Sequence, residues 1–372
     1  MNETIEYKRQ RACHPGEFVQ EIIEDMGVTQ EEFAFRMGVS GKCVSELING
    51  KCRMTPELAG KLSAMLGMEA EIWLNLQALY DSKLLEIKAA MELDRQRTIL
   101  SCLDFGYFLR MTDHGPIRDT RKRISFLCEL LGISSLEQLR REVPGGSFSL
   151  ATGFMNESHR ICARAWLHLA WRKASEMESV QPFKADTLQA SLTELRSLTR
   201  LGVIAALPRL TVLLQACGIA FVPLPSLRNA HVNGAVKWFS GNQKALLTIN
   251  DHMKTEDAFW LTLFHEVRHV LQRKFRQSLV CLADASAPDA ELERDADSFA
   301  QELLLPSALY DAFVLAGDFS LGSLRRLADQ ANLHPGIVAA RLARDGHLSP
   351  RTATRLQTPF TLPSPPTTLT TP

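Results

Sequence analysis

The chain has 372 residues, which is enough for two or three domains with hydrophobic cores of their own. Lys plus Arg and Asp plus Glu each number 42, so the formal net charge is zero and the molecule as a whole is not a general polyanion binder. Any contact with nucleic acid must therefore be local. The eight cysteines include no C-x-x-C pair, which argues against a disulfide framework and against a cysteine zinc site.

The N-terminus and the apolar segments predict where the protein is located. The N-terminus lacks the layout of a signal peptide, and no uncharged apolar run is long enough to span a membrane. We therefore expect a cytoplasmic protein with no membrane partner. Residues 347–372 are rich in Thr and Pro, and their composition predicts a disordered tail.

The first predicted domain, residues 1–80, contains five predicted helices. Thr29 begins a short helix like a capping box, Gly38 makes a turn, and Ser40 caps a second short helix. This order is typical of a helix-turn-helix, in which the second helix enters the major groove of DNA. The residues expected to face outward from that helix are Lys42, Cys43, Ser45, Glu46 and Asn49, and those that could hold phosphates are Lys51 and Arg53.

The net charge of this segment argues against strong DNA binding. Residues 1–80 contain 8 Lys plus Arg and 12 Asp plus Glu, a net charge of −4, which disfavours strong non-specific DNA binding. Affinity would then require a focused patch and a homodimer, which reads paired half-sites. The alternative is a small helical interaction module.

Several runs in the segment resemble the XRE-type antitoxins of the HigA group. These runs are His14-Pro15-Gly16-Glu17, Gly27-Val28-Thr29-Gln30, Val39-Ser40, Ser45-Glu46-Leu47-Ile48-Asn49-Gly50-Lys51 and Trp73-Leu74-Asn75-Leu76-Gln77. The resemblance covers nearly all of residues 14–80 and implies a lambda-repressor-like fold that binds double-stranded operator DNA. It assigns the DNA contacts to Ser40, Lys42, Cys43, Ser45 and Asn49.

Residues 81–200 are predicted to form a helical spacer, and nothing in them carries chemistry that we can name. Residues 201–346 are predicted to form an α+β domain. Short strands are expected at 218–223, 234–239 and 245–249, followed by a long apolar helix at 255–273. The fold class is therefore mainly α with a small β-sheet.

The long predicted helix contains the pattern His265-Glu266-x-x-His269. Two neutral imidazoles one helical turn apart can occupy two tetrahedral positions on a Zn²⁺ ion, and Glu266 can reach water at the same metal. The alternative is a helix with two surface histidines beside a glutamate.

A second predicted helix, 291–305, supplies candidates for a third ligand. Glu293 and Asp297 share a face, so Glu293 can complete a His-His-Glu set and Asp297 can accept the outer N–H of a ligand histidine. Asp295 and Glu291 are alternative ligands. Asp295 is too short and differently directed if the apolar residues beside it pack inward.

These two helices resemble the ImmA/IrrE metallopeptidases, whose signature is an HExxH helix followed by an E-x-x-A-(N/D)-x-F-A helix that ends in Leu-Leu-x-Pro. The resemblance implies a zincin-like fold, with His265, His269 and Glu293 as zinc ligands and Glu266 as the catalytic acid/base. The order of helix-turn-helix and peptidase is similar to a known class of two-domain regulators.

One position departs from the pattern. Many relatives have glycine where this chain has Arg268. A large cation there would narrow the cleft, select an acidic substrate or accompany loss of catalysis. No oxyanion donor stands out, and His231 and His252 are candidates only because they lie near the motif in sequence.

Three functions are consistent with these patterns. The first is a DNA-binding transcription regulator whose zinc endopeptidase domain cleaves a regulatory protein such as a repressor or an antitoxin. The second is an antitoxin-like transcriptional repressor whose zinc domain is a non-catalytic sensor or scaffold. The third is an antitoxin that neutralises a partner toxin through its helical middle.

Overall fold

The computed structural model of the protein describes residues 5–112, 114–141, 156–178, 180–273, 279–282 and 290–363. In these residues the protein is mainly helical with small β-sheets, which confirms the predicted fold class. The chain divides into two compact units, Met1–Gln96 and Arg97–Pro372. The first unit contains the predicted helix-turn-helix, and the second contains the predicted metal site.

The first unit consists of a short hairpin followed by helices. The hairpin strands are β1 (Ile5–Tyr7) and β2 (Gln10–Ala12), and the helices are α1 (Pro15–Met26), α2 (Gln30–Met37), α3 (Gly41–Ile48), α4 (Pro56–Leu66) and α5 (Ala70–Cys102), which continues into the second unit. Its core is built on fully buried Phe33, Leu47, Leu62 and Trp73.

The caps of α2 and α3 follow the sequence prediction. The Thr29 hydroxyl accepts a hydrogen bond from the amide of Glu32, and the Ser40 hydroxyl accepts one from the amide of Cys43, both at 3.2 Å. Gly38 ends α2 with φ 66°, in the left-handed region. The predicted pair of short helices joined by a tight turn is confirmed.

A glycine also fixes the crossing of α1 and α3. A Cβ atom at Gly16 would lie 1.9 Å from the carbonyl oxygen of Leu47, so α1 can lie against the end of α3 only because this residue has no side chain. This contact holds the second helix of the pair in place.

The second unit carries the remaining elements. Its helices are α6 (Phe105–Thr112), α7 (Thr120–Leu131), α8 (Glu157–Ser175), α9 (Ala185–Ser197), α10 (Val203–Ala216), α11 (Glu256–Gln272), α12 (Ala290–Leu304), α13 (Ser307–Ala316), α14 (Leu321–Ala331), α15 (Pro335–Arg344) and α16 (Pro350–Ala353). Its strands are β3 (Ile219–Pro223), β4 (Val232–Phe239), β5 (Lys244–Ile249) and β6 (Leu279–Leu282).

The four strands form one sheet in the order β3-β5-β4-β6. β3 runs parallel to β5, and β4 is antiparallel to both β5 and β6. Helix α11 contacts β4 and β5 of this sheet and also contacts α12 and α15. The apolar side of α11, including Trp260, Phe264 and Val267, is fully buried in this core.

The end of the described chain does not match the prediction of a disordered tail. Leu356, Phe360 and Leu362 are buried in the core of the second unit. The ring of Phe360 lies 5.4 Å from that of Phe259, and the amide of Leu362 donates a 2.9 Å hydrogen bond to Asp251. The prediction is wrong for residues 347–363 because a few apolar side chains anchor a segment that is polar on average. Residues 364–372 lie outside the described residues.

Within the described residues, no single helix is long and apolar enough to cross a membrane. One pair of helices, Glu291–Leu304 and Ser307–Ala316, has that length and composition when taken together, with a bend of 70° between them.

Candidate metal centre and DNA-binding helix

Three side chains from α11 and α12 meet at one point. The Nε2 atoms of His265 and His269 lie 2.9 Å apart. Oε2 of Glu293 lies 3.1 Å from Nε2 of His265, and Oε1 of Glu293 lies 3.3 Å from Nε2 of His269. These three residues form a group of donor atoms with the spacing needed to hold one metal ion.

The outer ring nitrogens of both histidines have acceptors. Nδ1 of His265 lies 2.8 Å from Oδ1 of Asp297, as the sequence suggested, and Nδ1 of His269 lies 2.8 Å from Oε1 of Gln272. An acceptor at Nδ1 places the proton there, which leaves the lone pair on Nε2. The interior of the site then presents electron-pair donors from both rings and from Glu293, which is the chemistry that binds a metal cation.

The spacing of these donors fits zinc. Bonds of about 2.0 Å place two tetrahedral ligand atoms about 3.3 Å apart. The three separations in the site, 2.9, 3.1 and 3.3 Å, are close to that value. Two imidazoles and a carboxylate are also a known ligand set for catalytic zinc.

The electrostatics of the site favour positive charge between the rings. Burial lowers the pKa of His265, but the hydrogen bonds of its ring to Asp297 and Glu293 outweigh burial and raise the pKa to about 10. Burial also lowers the pKa of His269, but the hydrogen bond of its ring to Glu293 raises it. The net change in the pKa of His269 is a rise. Burial raises the pKa of Glu293, but hydrogen bonds to the two histidines lower it to about 2. The carboxylate is therefore ionised and ready to hold a cation.

Glu266 lies beside this group and is 0% exposed. Neither of its carboxylate oxygens has a hydrogen-bond partner among the described residues. Burial raises its pKa to about 7, although the two histidines act in the opposite direction. An unpartnered buried carboxylate is costly, so its presence beside the metal donors needs an explanation in function.

Gly234 on β4 makes room for this carboxylate. A Cβ atom at residue 234 would lie 2.7 Å from Oε1 of Glu266 and 3.0 Å from its Cγ. Sequence reasoning did not assign Gly234 to the site. A glycine inside a strand, which often marks a close approach of other atoms, was the available signal.

Arg268, Asp295 and Gln272 also take part in the site. The Arg268 guanidinium donates to both carboxylate oxygens of Asp295, at 2.8 and 3.0 Å. Asp295 is thus bound to Arg268, and its carboxylate is not among the three metal donors. Sequence reasoning missed Gln272, although an amide three residues after His269 on a helix lies close enough to reach it.

His231 and His252 pack against each other, with ring centroids 5.9 Å apart, and His231 lies 4.4 Å from His159. Their rings form a row of histidines that involves the start of α8.

The residues predicted to bind DNA lie on or next to α3. Ser40 caps the helix with its hydroxyl, and Asn49 donates from its amide to the carbonyl of Ser45 at 2.7 Å. The Lys42 side chain is 82% exposed and pairs with Glu46 at 3.7 Å. Cys43 and Ser45 are half-buried, and Lys51 is exposed. The outward surface of α3 is polar, and its cationic charge is partly neutralised by Glu46.

The fold defines a helix-turn-helix module followed by an α+β domain in which two histidines and a glutamate form a candidate metal centre. The family model described as Peptidase_M78, IrrE N-terminal-like domain, matches residues 227–343. The N-terminal part of the chain therefore belongs with the XRE/HigA-type helix-turn-helix regulators, and the C-terminal part contains a domain that matches the M78 family model.

Relatives of the N-terminal domain include a transcriptional regulator and an antitoxin. The uncharacterized HTH-type transcriptional regulator YddM of Escherichia coli strain K12 is 34% identical over 87 residues, which are 23% of this chain and 90% of that protein. Antitoxin HigA-1 of Vibrio cholerae is 42% identical over 74 residues, 20% of this chain and 70% of the antitoxin. A solved HigA-family addiction module antidote protein from Coxiella burnetii is 27% identical, covers 23% of this chain and 92% of its own, and has a TM-score of 0.21.

Proposed function

We propose that this protein is a DNA-binding transcription regulator whose C-terminal domain is a zinc-dependent endopeptidase that cleaves a regulatory protein, such as a repressor or an antitoxin. The observation that carries the proposal is the geometry at α11 and α12. Three metal donors lie 2.9 to 3.3 Å from one another, beside a buried carboxylate with no hydrogen-bond partner among the described residues.

The roles of the residues follow from their chemistry. His265, His269 and Glu293 would hold the zinc ion, and Asp297 and Gln272 orient the two rings. When bound, zinc supplies a Lewis acid that polarises a peptide carbonyl and acidifies water. Glu266 takes the proton from the attacking water and delivers it to the leaving amine. Its carboxylate oxygens can accept this proton because no described group donates a hydrogen bond to them.

The DNA-binding half of the proposal is supported by the N-terminal fold and by the names of its relatives, which are a transcriptional regulator and an antitoxin. In this proposal α3 enters the major groove of an operator, with Lys42 and Lys51 near phosphates and Ser45 near base edges. Because helix-turn-helix regulators read paired half-sites, we propose a cytoplasmic homodimer on double-stranded DNA.

The experiment is co-expression of the full-length protein with candidate repressors or antitoxins encoded near its own gene. The wild type is expected to cleave one of them, and the Glu266→Gln variant is expected to leave it intact while retaining bound zinc. Loss of the general base should slow cleavage by about 10²- to 10⁴-fold. Equal cleavage by both proteins would overturn the role of Glu266.

A second candidate function is a transcriptional repressor whose zinc domain is a sensor or scaffold without catalysis. It is favoured by the burial of Glu266, which is 0% exposed and packed against Gly234. Full zinc occupancy with no cleavage of any candidate would favour this function over the first.

A further inference from the structure

Arg268 lies between the two ligand histidines in sequence, but its charge is bound to the neighbouring helix. Its guanidinium donates two hydrogen bonds to the Asp295 carboxylate on α12, at 2.8 and 3.0 Å, and lies 5.1 Å from the centre of the Phe299 ring. A two-point bond of this kind fixes both the position and the plane of a carboxylate. Arg268 is therefore paired, and its charge is neutralised by Asp295.

The fixed Asp295 carboxylate in turn holds the amide of Gln272. The Gln272 Nε2 atom donates to Asp295 at 2.7 Å and to the carbonyl of Leu292 at 3.0 Å. Both amide hydrogens are thus used on α12. This arrangement leaves only one orientation for the amide, with Oε1 directed away from α12 residues 292 and 295.

That oxygen faces His269, whose Nδ1 lies 2.8 Å away. Because Oε1 only accepts hydrogen bonds, Nδ1 of His269 must be the protonated nitrogen. The lone pair of the ring is then on Nε2, which faces Glu293 and His265. Nδ1 of His265 is bonded directly to the carboxylate of Asp297. Nδ1 of His269 is bonded instead to a neutral amide, whose orientation depends on its own bonds to Asp295 and Leu292.

We propose that Arg268, Asp295 and Gln272 form a positioning relay that fixes the tautomer and ring orientation of His269 for metal binding. The relay rests on the proposed function, because its purpose is to prepare a zinc ligand. It also replaces the expectation that Arg268 selects an acidic substrate, since the Asp295 carboxylate already binds the guanidinium. Arg268 is a positioning residue, and it acts on the metal only through the two side chains that follow it.

The test measures metal affinity and coordination in the full chain. Zinc affinity is obtained by competition with a chelator, and the coordination is read from the visible spectrum of the cobalt-substituted protein. Gln272→Ala is expected to weaken zinc binding by about 10- to 100-fold, the range for loss of an orienting partner of a ligand histidine. Arg268→Ala and Asp295→Ala are expected to weaken it by up to about 10-fold and to change the cobalt spectrum.

Two comparisons make the relay falsifiable. The double variant Arg268→Ala with Asp295→Ala is expected to bind zinc no more weakly than the weaker single variant, because both belong to one relay. Arg268→Lys, which retains one donor toward Asp295, is expected to recover part of the affinity. If Arg268→Ala does not fold, the Lys and Gln272 variants provide the same readout.

The control is Arg209→Ala on α10. Arg209 also donates two hydrogen bonds to a carboxylate, that of Glu194, through Nε at 2.7 Å and through Nη2. Its loss is expected to leave zinc affinity and the cobalt spectrum unchanged. Wild-type affinity and spectrum in Arg268→Ala and Gln272→Ala, with zinc bound normally by the wild type, would overturn the relay alone. A wild-type chain that binds no zinc would overturn the proposed function and the relay together.

Discussion

The helices of the proposed metal centre, α11 and α12, and the proposed DNA-binding helix, α3, are organised in opposite ways. On α11, each of the two histidines proposed as ligands has its outer nitrogen bonded to a side chain, and the side chain bonded to His269 is itself bonded to two further groups. On α3, the outward side chains make local bonds, such as the Ser40 cap and the pair between Lys42 and Glu46.

This difference indicates how each site obtains its effect. In the proposed metal centre, side chains of two helices hold one another in place through partly buried contacts, so a single change should propagate to the ion. The proposed DNA-binding helix presents exposed and half-buried polar side chains with local bonds, so each side chain should contribute a small amount. Three substitutions, in order of decreasing effect, test this contrast.

The largest effect is expected for Gly234→Ala. The added Cβ atom would lie 2.7 Å from Oε1 of Glu266, so either β4 or the carboxylate must move. We expect a loss of about 1 to 3 kcal/mol in the free energy of unfolding, measured by urea denaturation, together with loss of cleavage. Gly115→Ala controls for the glycine-to-alanine change alone, because a Cβ atom there would meet nothing within 4 Å and, as at Gly234, φ is not in the left-handed region. Unchanged stability and cleavage in Gly234→Ala would contradict the close packing of Glu266.

An intermediate effect is expected for Asp297→Ala. The carboxylate orients His265 from a position where its side chain is 61% exposed, so water can replace part of its function. We expect zinc affinity to fall by about 10-fold, the lower end of the range for such partners, as measured by chelator competition. Asp311→Ala, at an exposed aspartate on α13, is the control. Unaltered zinc affinity in Asp297→Ala would show that His265 needs no orienting partner.

The smallest effect is expected for Lys42→Ala. Lys42 is exposed and partly neutralised by Glu46, so it is expected to contribute one weak phosphate contact. Affinity for a duplex from the region upstream of the gene should fall by roughly two- to fivefold, and the slope of log affinity against log salt should decrease by about 1. Fluorescence anisotropy at several salt concentrations would measure both the affinity and the salt slope.

Two further variants make the test of α3 more specific. Glu46→Gln is expected to strengthen binding, because it removes the partner of Lys42. Lys83→Ala on α5, where the lysine pairs with Glu86, should leave the salt slope unchanged. An unchanged salt slope in Lys42→Ala would remove this residue from the DNA interface.

The amino-acid sequence predicted the parts of the metal site that depend on local spacing. His265 and His269 are one helical turn apart, as are Glu293 and Asp297, so one regular helix brings each pair to a common face. The network behind the ligands depends instead on how α11 and α12 cross. The bonds from Arg268 and Gln272 to Asp295 span 27 and 23 residues and have no periodic signal.

The errors in the fold have similar causes. The hairpin of β1 and β2 was missed because its turn uses Lys8 and Arg9 with positive φ, where glycine or asparagine would have given a signal. Residue 80, where the first predicted domain ends, lies inside α5. That helix continues to Cys102. It is stabilised by side-chain hydrogen bonds between residues four apart, such as Gln77 to Asp81 and Gln96 to Glu92.

The most direct test of the proposed metal centre is the zinc stoichiometry of the full-length protein, measured by native mass spectrometry on wild type and on the single variants His265→Ala, His269→Ala and Glu293→Gln. We predict one zinc ion per wild-type chain and a large loss of occupancy in each variant at the same free zinc concentration. Full occupancy in the Glu293→Gln variant, or no zinc in the wild type, would contradict the assignment of these three residues as zinc ligands.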